Sequence, residues 1–129
     1  MIKKIGFDVH GVIDSDPEFF SLLIQDLLKT GWEVHIITGK AQETVEKELQ
    51  LMNITYTHLF SIADYHKNIS TVINYDEKGN PWMDKKLWDR TKGDYCLREN
   101  ILLHIDDTER YKNYFKTNFS LFNKVVHNI

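Results

Sequence analysis

The chain places a carboxylate and an imidazole two residues apart, directly after an apolar run. Ile5-Gly6-Phe7 leads into Asp8 and His10, and Gly11 then permits a sharp turn. Because side chains alternate along an extended chain, Asp8 and His10 should point to the same side. Strands that end in this way place polar groups at the carboxyl edge of a parallel sheet, where open α/β folds bind ligands. The pair indicates either a reactive site or an unusually polar loop.

Two further apolar runs end in polar residues that could join this site. Thr38 and Gly39 follow a run that ends at Ile37, and Asp106 and Asp107 follow a run over 101–105. A hydroxyl, a flexible backbone and paired carboxylates are the groups that bind phosphate oxygens and divalent cations. If the runs are neighbouring parallel strands, all these groups meet at one edge of the sheet.

The elements that must position these residues follow from the hydrophobic pattern. Asp16-Pro17-Glu18 is a strong helix start, with a capping carboxylate followed by proline, and Gly31 is a left-handed cap at the far end. Residues 76–81 predict a turn, and residues 82–88 a short helix or an excursion packed by two tryptophans. The pattern predicts strands at 2–9, 32–37, 54–62, 101–105 and 119–125, and further helices at 42–52, 93–99 and 109–115.

Strands that alternate with helices predict an α/β fold. We expect a doubly wound (Rossmann-like) three-layer parallel sheet, in a single domain over residues 1–129 with a small insertion at about 74–89. Right-handed crossovers would bring the carboxyl ends of the strands to one edge.

Composition narrows the classes of partner and compartment. The formal net charge of −3 gives no global attraction to nucleic acid or to anionic membranes, so local positive groups must attract an anionic substrate. The one cysteine, Cys96, excludes an internal disulfide and fits a reducing compartment. No run is long enough for a signal peptide or a membrane span. We therefore expect a cytoplasmic protein with no membrane partner.

Four elements in this order resemble the motifs of haloacid dehalogenase (HAD) superfamily phosphatases. In that family the first strand ends in Asp-x-Asp-Gly, the second in Thr or Ser, a lysine precedes the helix before the fourth strand, and that strand ends in aspartate. The matching elements are Asp8-Val9-His10-Gly11-Val12, Thr38-Gly39-Lys40, Lys92 and Asp106-Asp107. The resemblance covers nearly the whole chain and implies a magnesium-dependent phosphatase that hydrolyses a phosphomonoester.

The resemblance also implies a role for each residue. Asp8 would be the nucleophile that forms an aspartyl-phosphate. Mg²⁺ would bind Asp8, the backbone carbonyl of His10 and Asp106, with Asp107 as a direct ligand or as an acceptor that orients water. Thr38 and the amides near Gly39 would bind phosphate oxygens. Lys92 would offset the charge of Asp8 and of the phosphoryl group.

Lys92 is chosen over the lysines at 67, 85 and 86 because of its place in the predicted elements. It lies fourteen residues before Asp106, where Thr91-Lys92-Gly93 would open the helix at 93–99. That placement returns the amino end of the helix to the edge that carries Asp8.

His10 departs from the family pattern, which has aspartate there as general acid and base. Histidine has an unperturbed pKa of about 6.5 and can perform both roles, so we hypothesise that His10 does. The alternative is a catalytically weak or inactive HAD-like module that binds metal, phosphate or a partner.

Only about thirty residues separate Asp8 from Thr38, which leaves no room for a large cap domain between them. We expect a capless or minimally capped site that accepts small phosphomonoesters, nucleotides or the phosphate at a nucleic-acid end. The oligomeric state stays open. The remaining histidines show no metal-ligand spacing, and the sequence predicts no metal role for those at positions 35, 58, 66, 104 and 127.

Overall fold

The computed structural model describes residues 1–72 and 74–123. The strands are β1 (Lys4–Phe7), β2 (Glu33–Thr38), β3 (His58–Ser61), β4 (Asn74–Tyr75), β5 (Pro81–Trp82), β6 (Leu103–Asp106) and β7 (Asn118–Leu121). The α-helices are α1 (Pro17–Lys29), α2 (Gln42–Leu51), α3 (Ile62–Asn68) and α4 (Lys85–Arg98), and 3-10 helices span Ile13–Ser15 and Glu109–Tyr114. None of the helices in these ranges is long and apolar enough to cross a membrane.

Five strands form one parallel sheet in the order β3-β2-β1-β6-β7. The chain is therefore α/β, as predicted, with helices flanking a parallel sheet. The carboxyl ends of β2, β1 and β6 lie side by side because their registers match, with Gly6 opposite His35 on one side and His104 on the other. This alignment brings Thr38, Asp8 and Asp106 to the same edge.

Alternation along the strands divides the apolar residues between two buried clusters. Phe7 and its neighbour Ile36 contribute to the cluster that contains α1 and α2, whereas Ile37 packs with Tyr95 of α4. Each fully buried side chain of this size contributes roughly 1.5–3 kcal/mol of burial free energy. The two clusters together hold helices against the sheet that carries the polar edge. Cys96 lies in the second cluster and is fully buried, in agreement with a packing role.

Helix α1 confirms the boundary signals in the sequence. The Asp16 carboxylate accepts a hydrogen bond from the Phe19 amide at 3.2 Å, and Pro17 occupies the first helical position. Gly31 has a φ of +89°, the left-handed conformation that a residue without Cβ adopts most easily.

The predicted strand at 54–62 was too long at both ends. The hydroxyl of Thr57 bonds to both the amide and the carbonyl of Val34, so regular pairing with β2 begins only at His58. At the other end, the Ser61 hydroxyl accepts from the Asp64 amide at 3.1 Å and caps α3, a helix that the pattern did not predict. A polar cap immediately after a strand decided this boundary.

The predicted helix start at Lys92 was wrong. A single helix, α4, begins after Asp84, whose carboxylate accepts from the Leu87 amide at 2.9 Å, so Lys92 lies in the middle of the helix. Gly93 is internal as well. A Cβ at this position would collide with the backbone carbonyl of Tyr114, so glycine here permits close packing rather than starting the helix.

The segment predicted as a small insertion contains a two-stranded hairpin formed by β4 and β5. Its turn is closed by the Asp76 carboxylate, which accepts from the amides of Lys78 and Asn80 at 2.9 and 2.8 Å. The helix predicted at 109–115 is a 3-10 helix at Glu109–Tyr114, and the last predicted strand is observed as β7. Residues 124 and 125 of that predicted strand lie outside the described residues.

Candidate active site

Three carboxylates converge where β1 and β6 end. Asp8, Asp106 and Asp107 each offer an oxygen within 4.8 Å of the others. The Asp8 amide donates to the Ile105 carbonyl at 3.0 Å, which extends the β1–β6 pairing to the carboxyl edge of the sheet. Asp8 and Asp106 are buried, whereas Asp107 is exposed. So much negative charge in one place requires a compensating cation.

Lys92 supplies positive charge from α4. Its Nζ donates to Asp106 Oδ2 at 2.7 Å and to Asp8 Oδ1 at 3.1 Å, and its side chain is 3% exposed. The ammonium also lies 5.2 Å from the centre of the Tyr111 ring. The lysines at 67, 85 and 86 are all exposed. The structure therefore places Lys92 in this cluster, although from mid-helix and not from the helix start.

Burial and charge push the pKa values of the two buried carboxyls apart. Burial, together with the nearby charge of Asp106, raises the pKa of Asp8 to about 7 against the opposing effect of Lys92. Burial alone would also raise the pKa of Asp106, but hydrogen bonds from His104 and Lys92 and the charge of Lys92 hold it well below its ordinary value. Burial would lower the pKa of Lys92, yet the two carboxylates outweigh burial and raise it. The metal-free cluster thus contains a lysine cation, an Asp106 anion and an Asp8 that gains or loses its proton near neutral pH.

His104 is a member of this cluster that sequence reasoning missed. Its Nε2 lies 2.8 Å from Asp106 Oδ2, and the ring is fully buried beside Gly6. A Cβ at Gly6 would lie 2.8 Å from His104 Nδ1 and 2.7 Å from Ile37 Cδ1, so only glycine leaves room for the ring. The available signal was spacing, because residues 104 and 106 of one strand share a face.

The loop after β1 turns at Gly11, which has a φ of +90°. The Gly11 amide donates to Asp14 Oδ1 at 2.7 Å, and the Asp107 side chain occupies the space that a Cβ at Gly11 would fill. Within residues 1–72 and 74–123, nothing donates a hydrogen bond to the His10 carbonyl.

The His10 side chain pairs with Glu48 of α2. His10 Nε2 lies 2.6 Å from Glu48 Oε2, and both side chains are about one-third exposed. Lys40 Nζ lies 4.0 Å from the other Glu48 oxygen. Glu48 is a further residue that the sequence did not indicate, since no local pattern relates positions 10 and 48. The pair fixes one ring nitrogen of His10 and leaves Nδ1 for other contacts.

Thr38 and Gly39 lie at the end of β2 but differ in access. Thr38 is fully buried, and its hydroxyl accepts from the Lys40 amide at 3.3 Å. Gly39 lies on the surface of the cavity, where a Cβ would come within 3.1 Å of the Trp88 ring. Thr38 thus shapes the loop from beneath, whereas the backbone at Gly39 faces the open space.

A cavity of about 830 Å³ opens above the cluster. Its wall includes three lysines, at 40, 78 and 92. It also includes two aromatic residues, Trp88 and Tyr111, which are joined by a 3.1 Å hydrogen bond from the indole Nε1 to the phenol oxygen. Of the predicted site residues, those that line the cavity are Asp8, His10, Gly39, Lys92 and Asp107. Asp106 and Thr38 lie behind this wall. The hairpin turn closes one side through Gly79 and Asn80.

Comparison of the sequence with protein-family models and with curated proteins found no match in either set. The chemistry of the site is therefore inferred from its own residues.

Proposed function

We propose that the protein is a magnesium-dependent phosphatase of the HAD type, which hydrolyses a phosphomonoester through an aspartyl-phosphate on Asp8. The observation that carries this proposal is the buried Lys92 ammonium shared by Asp8 and Asp106 beneath an open cavity. A reactive carboxylate held by a cation suits an anionic substrate, because the site must offset phosphate charge before attack.

The donor set fits Mg²⁺. Hard divalent cations prefer oxygen ligands, and the cluster offers three carboxylates against a single lysine charge. The His10 carbonyl accepts no hydrogen bond from the described residues and is the proposed fourth oxygen. Asp106 Oδ2 already accepts from both Lys92 and His104, and its Oδ1 accepts from the Thr108 amide at 3.0 Å. Asp107 is the more accessible of the two aspartates. We infer that Asp8, the His10 carbonyl and Asp107 hold the ion. Asp106 positions Lys92, and its Oδ1, which accepts one hydrogen bond, keeps a second lone pair. The ion would neutralise charge on the phosphate oxygens.

Phosphate would lie between Lys92 and the loop after β2. The backbone at Gly39 and the nearby Lys40 side chain face the cavity, and helix α2 starts directly beyond them. Amides at such a strand–helix turn are suited to anionic oxygens. Because the Thr38 hydroxyl is buried and accepts from Lys40, its role here is to hold this loop in place.

The reaction proceeds in two displacements. An Asp8 carboxylate oxygen attacks phosphorus as the bond to the ester oxygen breaks, and His10 gives its proton to the leaving alkoxide. His10 then removes a proton from water, whose oxygen attacks phosphorus and breaks the bond to Asp8, releasing inorganic phosphate. Because Nε2 is paired with Glu48, Nδ1 is the nitrogen assigned to this proton transfer.

We also propose how the layers of the fold are arranged. Apolar clusters on the two sides of the parallel sheet support a doubly wound, three-layer arrangement of the HAD kind. The β4–β5 hairpin is a minimal cap at one side of the cavity. Small phosphomonoesters and nucleic-acid ends are the substrate classes, in the cytoplasm and with no membrane partner.

The test is release of inorganic phosphate from an aryl phosphate by the purified protein with Mg²⁺ between pH 5 and 8. Turnover should disappear in Asp8→Asn and on chelation of the metal. His10→Ala should reduce turnover by about 10²-fold or more while Mg²⁺ affinity is retained, because the His10 ligand is a backbone atom. Equal turnover in Asp8→Asn and the unmodified protein would contradict the nucleophile assignment.

A non-catalytic module that binds metal or phosphate is the second candidate. The observation that favours it is the His10–Glu48 pair, which directs the imidazole toward α2. This reading predicts saturable Mg²⁺ binding with no turnover on a broad panel of phosphate esters. Calorimetric titration of Mg²⁺ beside the same phosphate assay separates the two functions.

A further inference from the structure

A second group of potential metal ligands lies at the opposite edge of the sheet from Asp8 and Lys92. Glu33 opens β2, His35 follows two residues later, and His58 opens β3. Each of the three offers a ligand atom within 4.8 Å of the others. We propose that Glu33, His35 and His58 form a binding site for a zinc-like transition-metal ion.

The register of the sheet produces this group. Glu33 and His35 share one face of β2 because side chains alternate, and His35 is directly opposite His58 in the β2–β3 pair. The His35 Nε2 atom lies 2.9 Å from Glu33 Oε1, and His58 Nδ1 lies 3.7 Å from the same oxygen. Since β3 is the edge strand, the group has access to solvent on its outer side.

Two imidazoles and one carboxylate select the metal class. This combination is a common three-ligand set for Zn²⁺ with an open fourth position, whereas Mg²⁺ prefers oxygen atoms alone.

Tyr95 completes the surroundings of His35. Its hydroxyl lies 2.7 Å from His35 Nδ1, and the histidine ring is fully buried. A neutral His35 that donates from Nε2 to Glu33 accepts from Tyr95 at Nδ1. A metal ion bound to Nε2 requires the tautomer in which Nδ1 carries the proton. Nδ1 then donates to the Tyr95 hydroxyl, which can act as a donor or as an acceptor.

Two features set the conditions for binding. The His35 and His58 rings are stacked with centres 4.2 Å apart and planes within 5°, so both cannot aim a nitrogen at one ion until His58 turns. His58 is free to do so, because its side chain is 47% exposed and its Nδ1 contacts only Thr57 and Glu33 among the described side chains. Lys4 Nζ lies 3.8 Å from Glu33 and opposes a cation.

The experiment measures Zn²⁺ affinity by competition with a chromophoric chelator, in excess Mg²⁺ to occupy the carboxylate cluster at the other edge. We expect one Zn²⁺ per chain in the unmodified protein. His58→Gln should weaken Zn²⁺ binding by about tenfold or more, because it removes a direct ligand. Loss of a residue that only hydrogen-bonds a metal ligand already weakens binding by about that much. Lys4→Gln should strengthen binding, because it removes the opposing charge.

His10→Gln is the matched control, since it removes the other exposed histidine–glutamate pair and should leave Zn²⁺ affinity unchanged. Co²⁺ in place of Zn²⁺ gives a second readout, an absorption spectrum of a four-coordinate ion that His58→Gln abolishes. Affinity that is unchanged in His58→Gln, or that falls equally in His10→Gln, overturns the proposal. Neither measurement depends on phosphatase activity.

Discussion

Lys92 joins the two halves of the carboxylate cluster from a distance of 84 residues in sequence to Asp8 and 14 to Asp106. The contacts of the Lys92 ammonium with Asp8 and Asp106 determine which of the two carboxyls is ionised. With the lysine present, the Asp106 anion is paired and the proton on Asp8 is the one that exchanges near neutral pH. A single buried ammonium therefore supports both the stability of this edge and its proposed reactivity.

Replacement of Lys92 tests this pairing. Lys92→Met should lower the free energy of unfolding by about 3–5 kcal/mol at pH 7, because it leaves Asp106 buried without its cation. Urea denaturation measures the change. Lys85→Met, an exposed position on the same helix, is the control and should stay within about 0.5 kcal/mol of the unmodified protein. A loss below about 1 kcal/mol for Lys92→Met would contradict a buried ion pair.

The raised pKa of Asp8 predicts a pH-dependent effect on stability without metal. Its pKa rises from the ordinary 3.8 to about 7 on folding, so an ionised Asp8 destabilises the folded protein. This penalty is absent below about pH 4, grows between pH 4 and 7, and is complete above pH 7. Asp8→Asn should therefore raise the free energy of unfolding at pH 8, by about 4 kcal/mol at most, and have little effect at pH 4.

Urea denaturation of metal-free protein at the two pH values measures this difference. Asp26→Asn, at an exposed position of α1, is the control and should show no such trend. A stabilisation of Asp8→Asn that is equal at pH 4 and pH 8 would contradict a raised Asp8 pKa.

Element by element, helix α4 shows how local signals can mislead. The sequence Thr91-Lys92-Gly93 looks like a helix start, yet all three residues are internal, because the Asp84 cap begins the helix earlier. Gly93 is present because the backbone at Tyr114 crosses α4 at close range. This contact fixes the position of the 3-10 helix that carries Tyr111, the residue whose ring faces Lys92.

Substitution of Gly93 tests how much the close contact between α4 and the Tyr114 backbone contributes to the free energy of unfolding. Gly93→Ala should destabilise the protein by about 1–3 kcal/mol, because the new Cβ would collide with the Tyr114 carbonyl. On helix propensity alone, alanine would instead stabilise α4 by up to about 1 kcal/mol. Thermal or urea denaturation gives the sign, and Lys86→Ala at an exposed position of α4 is the control for propensity. A stabilised Gly93→Ala variant would show that the two elements can move apart freely.

Across the whole molecule, the parallel sheet separates two groups of potential ligands. The group Asp8, Asp106 and Asp107 lies at the carboxyl ends of β1 and β6, and the group Glu33, His35 and His58 lies at the amino ends of β2 and β3. The separation follows from strand direction, because all the carboxyl ends of a parallel sheet lie at one edge and all the amino ends at the other. Each edge should therefore respond to a different class of metal.

Magnesium should stabilise the folded protein through the carboxylate edge. Binding only to the folded state adds about 2.7 kcal/mol when Mg²⁺ is present at 100 times its dissociation constant. The increase in Tm should be smaller at pH 5 than at pH 8, because below about pH 7 a proton on Asp8 competes with the ion. Differential scanning calorimetry measures both effects. An undiminished response in Asp8→Asn would place the ion elsewhere.

Much of the fold could be predicted from local pattern. The α/β class, helix α1 with its Asp16 cap, and the polar ends of β1, β2 and β6 all follow from alternation and capping, which depend on neighbours within a few residues. The roles drawn from the HAD resemblance for Asp8, His10, Thr38 and the other site residues stay predictions. What the structure adds is which of these side chains meet.

Local alternation and turn signals were enough to show that Asp8, Thr38 and Asp106 follow apolar runs and could do chemistry at one edge of a sheet. That Glu48 holds His10 and that Lys92 reaches Asp8 from mid-helix is visible only in the folded protein. The physical reason is separation along the chain. Contacts across 38 or 84 residues depend on which elements pack together, and no local propensity encodes that choice.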